Sequence, residues 1–200
     1  VNTGIFTGSI ALDEALAFNG DGILQVQKGD KLTCTYIDPL GDFGIEKTVK
    51  DIAFYRITLK SGTISTNQTW TKADSPYLIT GDVTVNENKT LTIEAGSVVY
   101  VSVNDDQSGG DDNNRSELRI RGNLIAVGTE TDSIFFLSNS ETPGAGDWYG
   151  IRVGEDNQWY SQGNSATLKY CRIEHNSYGI HVSGSVDAST STGDIRIEYS

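Results

Sequence analysis

Along most of this 200-residue chain apolar residues recur at every second position, in short runs rich in Val, Ile, Thr and Tyr. That spacing marks strands with one buried face. Val99 and Val101, Leu124 and Ala126, Ile134 and Phe136, and Ile180 and Val182 are such pairs, each predicted to point inward. Asn-Gly, Asp-Gly and Gly-Asp pairs interrupt the runs, as tight turns require. Only Leu12 to Phe18 (LDEALAF) has the composition of a helical turn or two. The pattern predicts an all-β protein.

The text divides into two parts, 1–56 and 57–200. In the first, Leu32, Cys34 and Tyr36 share one face of a strand, which predicts a Cys34 buried in a sandwich core. The second part repeats. Leu91-Thr92-Ile93-Glu94, Leu118-Arg119-Ile120-Arg121, Gly150-Ile151-Arg152-Val153, Cys171-Arg172-Ile173-Glu174 and Ile195-Arg196-Ile197-Glu198 each set an isoleucine beside a charged residue. Successive isoleucines are 27, 31, 22 and 24 residues apart. Roughly 20 to 25 residues make one coil of a parallel β-helix, and self-similarity at that period is the mark of a solenoid. The two long intervals hold the insertions Asn104–Asn114 and Asn139–Asp147, whose removal makes the period nearly constant. The expectation is that Ile93, Ile120, Ile151, Ile173 and Ile197 stack in one inward column.

Two resemblances follow from these residues. NTGIFTGSI (Asn2 to Ile10) and GDGILQVQKGDKLTCTYIDP (Gly20 to Pro39) resemble a β-sandwich module of large bacterial surface and secreted proteins. An immunoglobulin-like sandwich needs ~100 residues, so 1–56 reads as a partial one. From Gly62 the chain resembles the right-handed parallel β-helix repeat family, the pectate-lyase-like solenoids. The stretches concerned are Gly62 to Val101, LRIRGNLIAVGTETDSIFF (Leu118 to Phe136), WYGIRV (Trp148 to Val153) and ATLKYCRIEHNSYGIHVSG (Ala166 to Gly184). The resemblance implies a fold, and much less an activity, because that family spans lyases, hydrolases, adhesins and spacers.

Charge narrows the partners. There are 27 acidic and 15 basic residues, a net charge of −12, and no Lys/Arg cluster. This argues against nucleic acid and anionic membrane surfaces. No apolar run reaches the ~20 residues of a membrane span. The chain lacks methionine and starts and ends in strand-like text, which predicts a piece of a larger chain that continues at both ends. Cys34 and Cys171 fall in different parts and read as two buried free thiols.

The densest chemistry is acidic. Asp105, Asp106, Asp111, Asp112 and Glu117 supply hard oxygen ligands of the kind Ca²⁺ takes. Their spacing fits no EF-hand, and a solvated acidic loop explains the same residues. No catalytic cofactor is called for. Glu94, Arg121, Arg152, Glu174 and Glu198 flank the repeated isoleucines on the outward side. They read as a ladder of opposite charges, Glu94 beside Arg121 and Arg152 beside Glu174, rather than as a glycan-facing stripe. His175 and His181 lie on one coil, His181 pointing out. Trp148, Tyr149, Trp159, Tyr160 and Tyr178 gather near coil corners, where aromatics either stack on sugar rings or pack the corner. Neither GxSxG, HExxH, CxxC nor a P-loop occurs, and no catalytic residue is assigned. The expected function is a structural or adhesive module of a large secreted or cell-surface bacterial protein, with a polysaccharide or cell-surface glycan as partner. The alternative is part of a lyase or hydrolase acting on acidic polysaccharide.

Overall fold

A computed structural model describes residues 8–15, 20–39, 44–103, 110–154 and 164–182, and the backbone of 195–198. The chain forms two units, Val1–Arg56 and Ile57–Ser200. It is all-β, and the second unit is a parallel β-helix.

In the first unit β1 (Ala11–Asp13) pairs in parallel with β2 (Ile23–Gln25), and β3 (Lys31–Asp38) pairs antiparallel with β4 (Lys47–Phe54). Two expectations need correction. Leu12 and Asp13 lie in a strand rather than a helical turn, and the rest of that helix-like text, from Leu16, lies outside the described residues. Cys34 is exposed. Its strand has a partner along one edge but no second sheet facing it among the described residues, so alternation alone does not bury it.

Among the described residues the second unit is a stack of five coils. The strands are β5 (Thr58–Ile64), β6 (Gln68–Trp70), β7 (Tyr77–Val85), β8 (Thr90–Ile93), β9 (Val98–Val101), β10 (Glu117–Ile120), β11 (Asn123–Val127), β12 (Ile134–Ser138), β13 (Gly150–Val153), β14 (Ser165–Lys169), β15 (Cys171–Ile173), β16 (Ile180–Val182) and β17 (Ile195–Glu198). All their pairings are parallel. They make three faces. The first joins the leading half of β7 to β9, β12 and β15. The second joins the trailing half of β7 to β10, β13 and β16. The third runs β6, β8, β11, β14, β17. β5 pairs with both halves of β7 and so begins the first two faces.

Inward residues stack from coil to coil on each face. Tyr77, Val99, Phe136 and Ile173 are register partners on the first, Val83, Leu118, Ile151 and Ile180 on the second. Leu91, Leu124 and Ala166 are partners on the third, and Trp70, Ile93, Ala126, Leu168 and Ile197 fall in a second column there. Of the expected inward pairs, Val99, Val101, Leu124, Ala126, Ile134 and Phe136 are wholly buried. Val182, whose strand has a neighbour on one side only among the described residues, is 43% exposed. Burial of this kind contributes about 25 cal/mol per Å² of apolar surface.

The single isoleucine column is wrong. Ile93 and Ile197 share a column on the third face, Ile120 and Ile151 stand in different columns of the second, and Ile173 is on the first. An isoleucine beside a polar residue suits any strand with one buried face, so all three faces carry the same text. Register measures the true coil: 23 residues from Trp70 to Ile93, 33 from Ile93 to Ala126, 42 from Ala126 to Leu168, 29 from Leu168 to Ile197. The corner loops set those lengths.

Candidate functional site

Polar chemistry collects on the outside of the second face. Its inward residues alternate with outward ones, which form two rows across the coils. Thr84, Arg119, Arg152 and His181 are one row; Asp82, Glu117 and Gly150 precede the inward column in the other. The corner between the first and second faces carries the loops 102–116, 139–149 and 174–179. Backbone bonds ladder them together: Tyr149 N donates to Ser116 O (3.0 Å) and Tyr178 N to Tyr149 O (3.2 Å). Trp148 anchors the ladder, wholly buried, with its indole N–H donating to Glu174 O at 2.8 Å.

Two features of this corner meet. The first is an ionic cluster beneath the described end of the acidic insertion. Glu117 is fully buried and Asp82 is 5% exposed. Glu117 N donates to Asp82 Oδ1 (3.0 Å), Glu117 Oε1 accepts Asp111 N (2.7 Å), and Arg119 Nε stands 3.5 Å from that same oxygen. The Arg152 guanidinium, 2% exposed, is hydrogen-bonded to Asp111. Gly110 has a φ of +71°, and a Cβ there would meet Glu117 Oε1 at 1.7 Å and Asp82 Oδ2 at 3.0 Å. Only glycine brings the backbone onto these carboxylates without strain or clash. Burial pushes the Glu117 carboxyl up to about 7; the Asp111 N–H opposes the rise, the Asp82 charge adds to it, and Arg119 offsets part. Asp112 is held low, chiefly by the Asn114 N–H and also by Arg115, which binds it through Nε (2.7 Å) and Nη2 (2.6 Å).

The second feature is aromatic. The Tyr149 and Tyr178 rings lie 4.9 Å apart, the Tyr178 and His181 rings 5.6 Å apart and stacked, and Tyr149 Oη is 3.4 Å from His181 Nδ1. Tyr178 is 60% exposed and Tyr149 9%. Burial raises the Tyr149 hydroxyl pKa, and the Asp111 charge raises it further. The two tyrosines are neighbours because Tyr149-Gly150-Ile151-Arg152-Val153 and Tyr178-Gly179-Ile180-His181-Val182 share the text Tyr-Gly-Ile-x-Val one coil apart. Both glycines take positive φ, 135° and 67°, and a Cβ on Gly150 would stand 2.7 Å from Gly179 O. The close approach of the coils requires glycine here.

The structure sorts the residues singled out from sequence. Tyr149 and Tyr178 come together, whereas Trp148 is a core residue. Trp159, Tyr160, Asp105 and Asp106 lie outside the described residues. Asp111, Asp112 and Glu117 each face a guanidinium, from Arg152, Arg115 and Arg119. Among the described residues no three His, Cys, Asp or Glu side chains come together to hold a metal.

The expected charge ladder is not formed. Glu94 Oε2 accepts Lys72 N (2.8 Å), Arg121 lies 3.7 Å from Glu87, and Glu174 binds Arg172, because the paired names sit on different faces. His175, at φ 64°, accepts Asp147 N on its carbonyl and stays apart from the aromatic group. Cys171 packs against the core, donates to Ala126 O (3.2 Å), and is pushed by burial up to about 11, as a structural thiol would be. Sequence reasoning missed Asp82, Arg119 and Gly110. The signals available were an aspartate inside Ile79-Thr80-Gly81-Asp82-Val83 and the Tyr-Gly-Ile-x-Val repeat.

No curated protein and no solved structure matches the chain significantly. Residues 62–200 match the family model described as the pectate-lyase-like beta helix domain. That span holds β6 to β17, all three faces and both features of the corner, and by it the chain belongs to the pectate-lyase-like β-helix domain family.

Proposed function

We propose that the corner carrying Tyr149, Tyr178 and His181 is a glycan-contacting surface, and that the chain serves as a structural or adhesive module of a secreted or cell-surface bacterial protein. The observation that carries this reading is Tyr178. It is a large aromatic held in the open by a backbone ladder, with a second ring and an imidazole against it. Sugar rings present C–H faces that stack on such side chains. The family name, with its pectate lyase, supports a carbohydrate ligand and an extracellular setting. Glu117, Asp82 and Arg152 are too buried to touch a polymer, and their role in this reading is to hold the corner.

A glycan microarray probed with the full chain tests the proposal. Binding to at least one glycan, lost in Tyr178→Ala, is expected. No binding at all, or binding indifferent to Tyr178→Ala, would refute it.

A second reading, β-elimination on acidic polysaccharide, is favoured by the Tyr149 Oη contact with His181 Nδ1, a pair able to hold and pass a proton. Absorbance near the unsaturated-uronate band with pectate, alginate and chondroitin would reveal it. Turnover abolished by Tyr149→Phe would put the lyase first.

A further inference from the structure

The family name points toward uronate polymers, whereas the charges around the corner point elsewhere. This inference rests on the glycan-contact reading above and adds the class of glycan. A uronate chain carries one carboxylate per residue, and a surface that holds it needs cations to receive them. Among the described residues the guanidinium groups of this face are those of Arg119 and Arg152, with that of Arg115 on the loop above. Arg152 is 2% exposed and bonded to Asp111; Arg115 is bonded to Asp112 and to Ser177; Arg119 lies against Glu117. Asp82 adds a further carboxyl beneath the same loop. The corner therefore holds Asp82, Asp111, Asp112 and Glu117 against Arg115, Arg119 and Arg152. With one proton on Glu117 the set is neutral, and without it the set is negative. Over the whole chain the net charge is −12. The field at Tyr178 thus gives a polyanion nothing to gain.

We infer that the Tyr149–Tyr178–His181 surface takes an uncharged glycan and rejects uronate polymers. Stacking needs only a C–H face and nearby hydrogen-bonding groups. The Tyr149 hydroxyl and the His181 ring supply them beside Tyr178. Rejection follows from the ion pairs: each guanidinium that could receive a uronate already holds a carboxylate of this chain. Asp112 is the decisive one, because it holds Arg115, the most exposed of the three guanidinia.

The test is affinity electrophoresis of the full chain at pH 7.5 and low salt. Xyloglucan, arabinogalactan and a β-1,3-glucan serve as uncharged probes, polygalacturonate and alginate as charged ones. Retardation by at least one uncharged probe and by neither charged one is expected. Tyr178→Ala should weaken the retardation by about tenfold, the scale of one aromatic contact with its area. Asp112→Asn, with its fold checked by circular dichroism, should free Arg115 and gain retardation in polygalacturonate that salt abolishes. Retardation of the wild-type chain by a charged probe in preference to the uncharged ones would overturn the inference and leave the glycan-contact reading standing. Retardation by no probe, or none that depends on Tyr178, would refute both. A misfolded Asp112→Asn would not rescue either, since the wild-type comparison decides by itself.

Discussion

Glu117 should make the β-helix lose stability as pH rises, through a single replaceable carboxyl. Its folded-state value lies near 7 against an ordinary 4.5, because burial between β7, β13 and the 110–117 segment penalises the charge. For an acid raised in the folded state, stability is fully present below 4.5 and is lost as pH climbs through 7, where the folded protein must give up a proton it holds more tightly than the unfolded chain does. At 1.36 kcal/mol per pH unit the full effect is about 3 kcal/mol, of which about 2 kcal/mol falls between pH 5.5 and 8.5. Glu117→Gln keeps an oxygen for the Asp111 N–H and has no proton to lose. Urea unfolding followed by tryptophan fluorescence reads this unit alone, because all three tryptophans lie beyond residue 56. The variant's stability relative to wild type should rise by about 2 kcal/mol on going from pH 5.5 to 8.5. Other titrating groups cancel in that difference. Parallel pH profiles for the two proteins would refute the reasoning and mean that Glu117 is ionised and compensated across the range.

Three further outcomes follow from the same packing. Phe136→Ala, at the centre of the Tyr77–Val99–Phe136–Ile173 column, should cost about 3–5 kcal/mol in the same urea assay; a loss under about 1 kcal/mol would mean the column is not closely packed. Cys34 is exposed, whereas Cys171 is part-buried with its thiol pushed to about 11, so at pH 8 a thiol reagent should label one cysteine quickly and the second only on unfolding; equal rates would place Cys171 at the surface. Millimolar Ca²⁺ should leave the melting temperature unchanged if Asp111, Asp112 and Glu117 keep their arginines, and a rise abolished by joint Asp111→Asn and Asp112→Asn substitution would put the ion in the loop instead.

What the amino-acid sequence determined by itself was the period. Alternation is a local property, set residue by residue by the pleat, so the strands, the all-β class and the inward pairs such as Leu124 with Ala126 could be read without any partner in view. Recurrence of such strands through the second part, with the resemblance carried by 62–184, was enough for the solenoid, although the isoleucine spacing was not the length of a coil. The corner was half visible too: the Tyr-Gly-Ile-x-Val text recurs at Tyr149 and Tyr178, and those rings meet because the repeat puts them one coil apart.

The tertiary structure decided register and cover. Which strand stacks on which depends on the length of the loops between them, and a two-residue period carries no record of that length. Five similar isoleucine strands consequently scatter over three faces. Cover is equally invisible. Arg152 and Glu117 occupy outward slots, and an outward slot reads the same in sequence whether water or a folded-back loop lies above it. Gly110 and the segment after it turn those two residues from surface charges into a buried cluster. Cys34 shows the converse: its strand alternates correctly but meets no opposing sheet among the described residues, and it stays exposed. Burial needs a second surface, and only the folded chain says where that surface is.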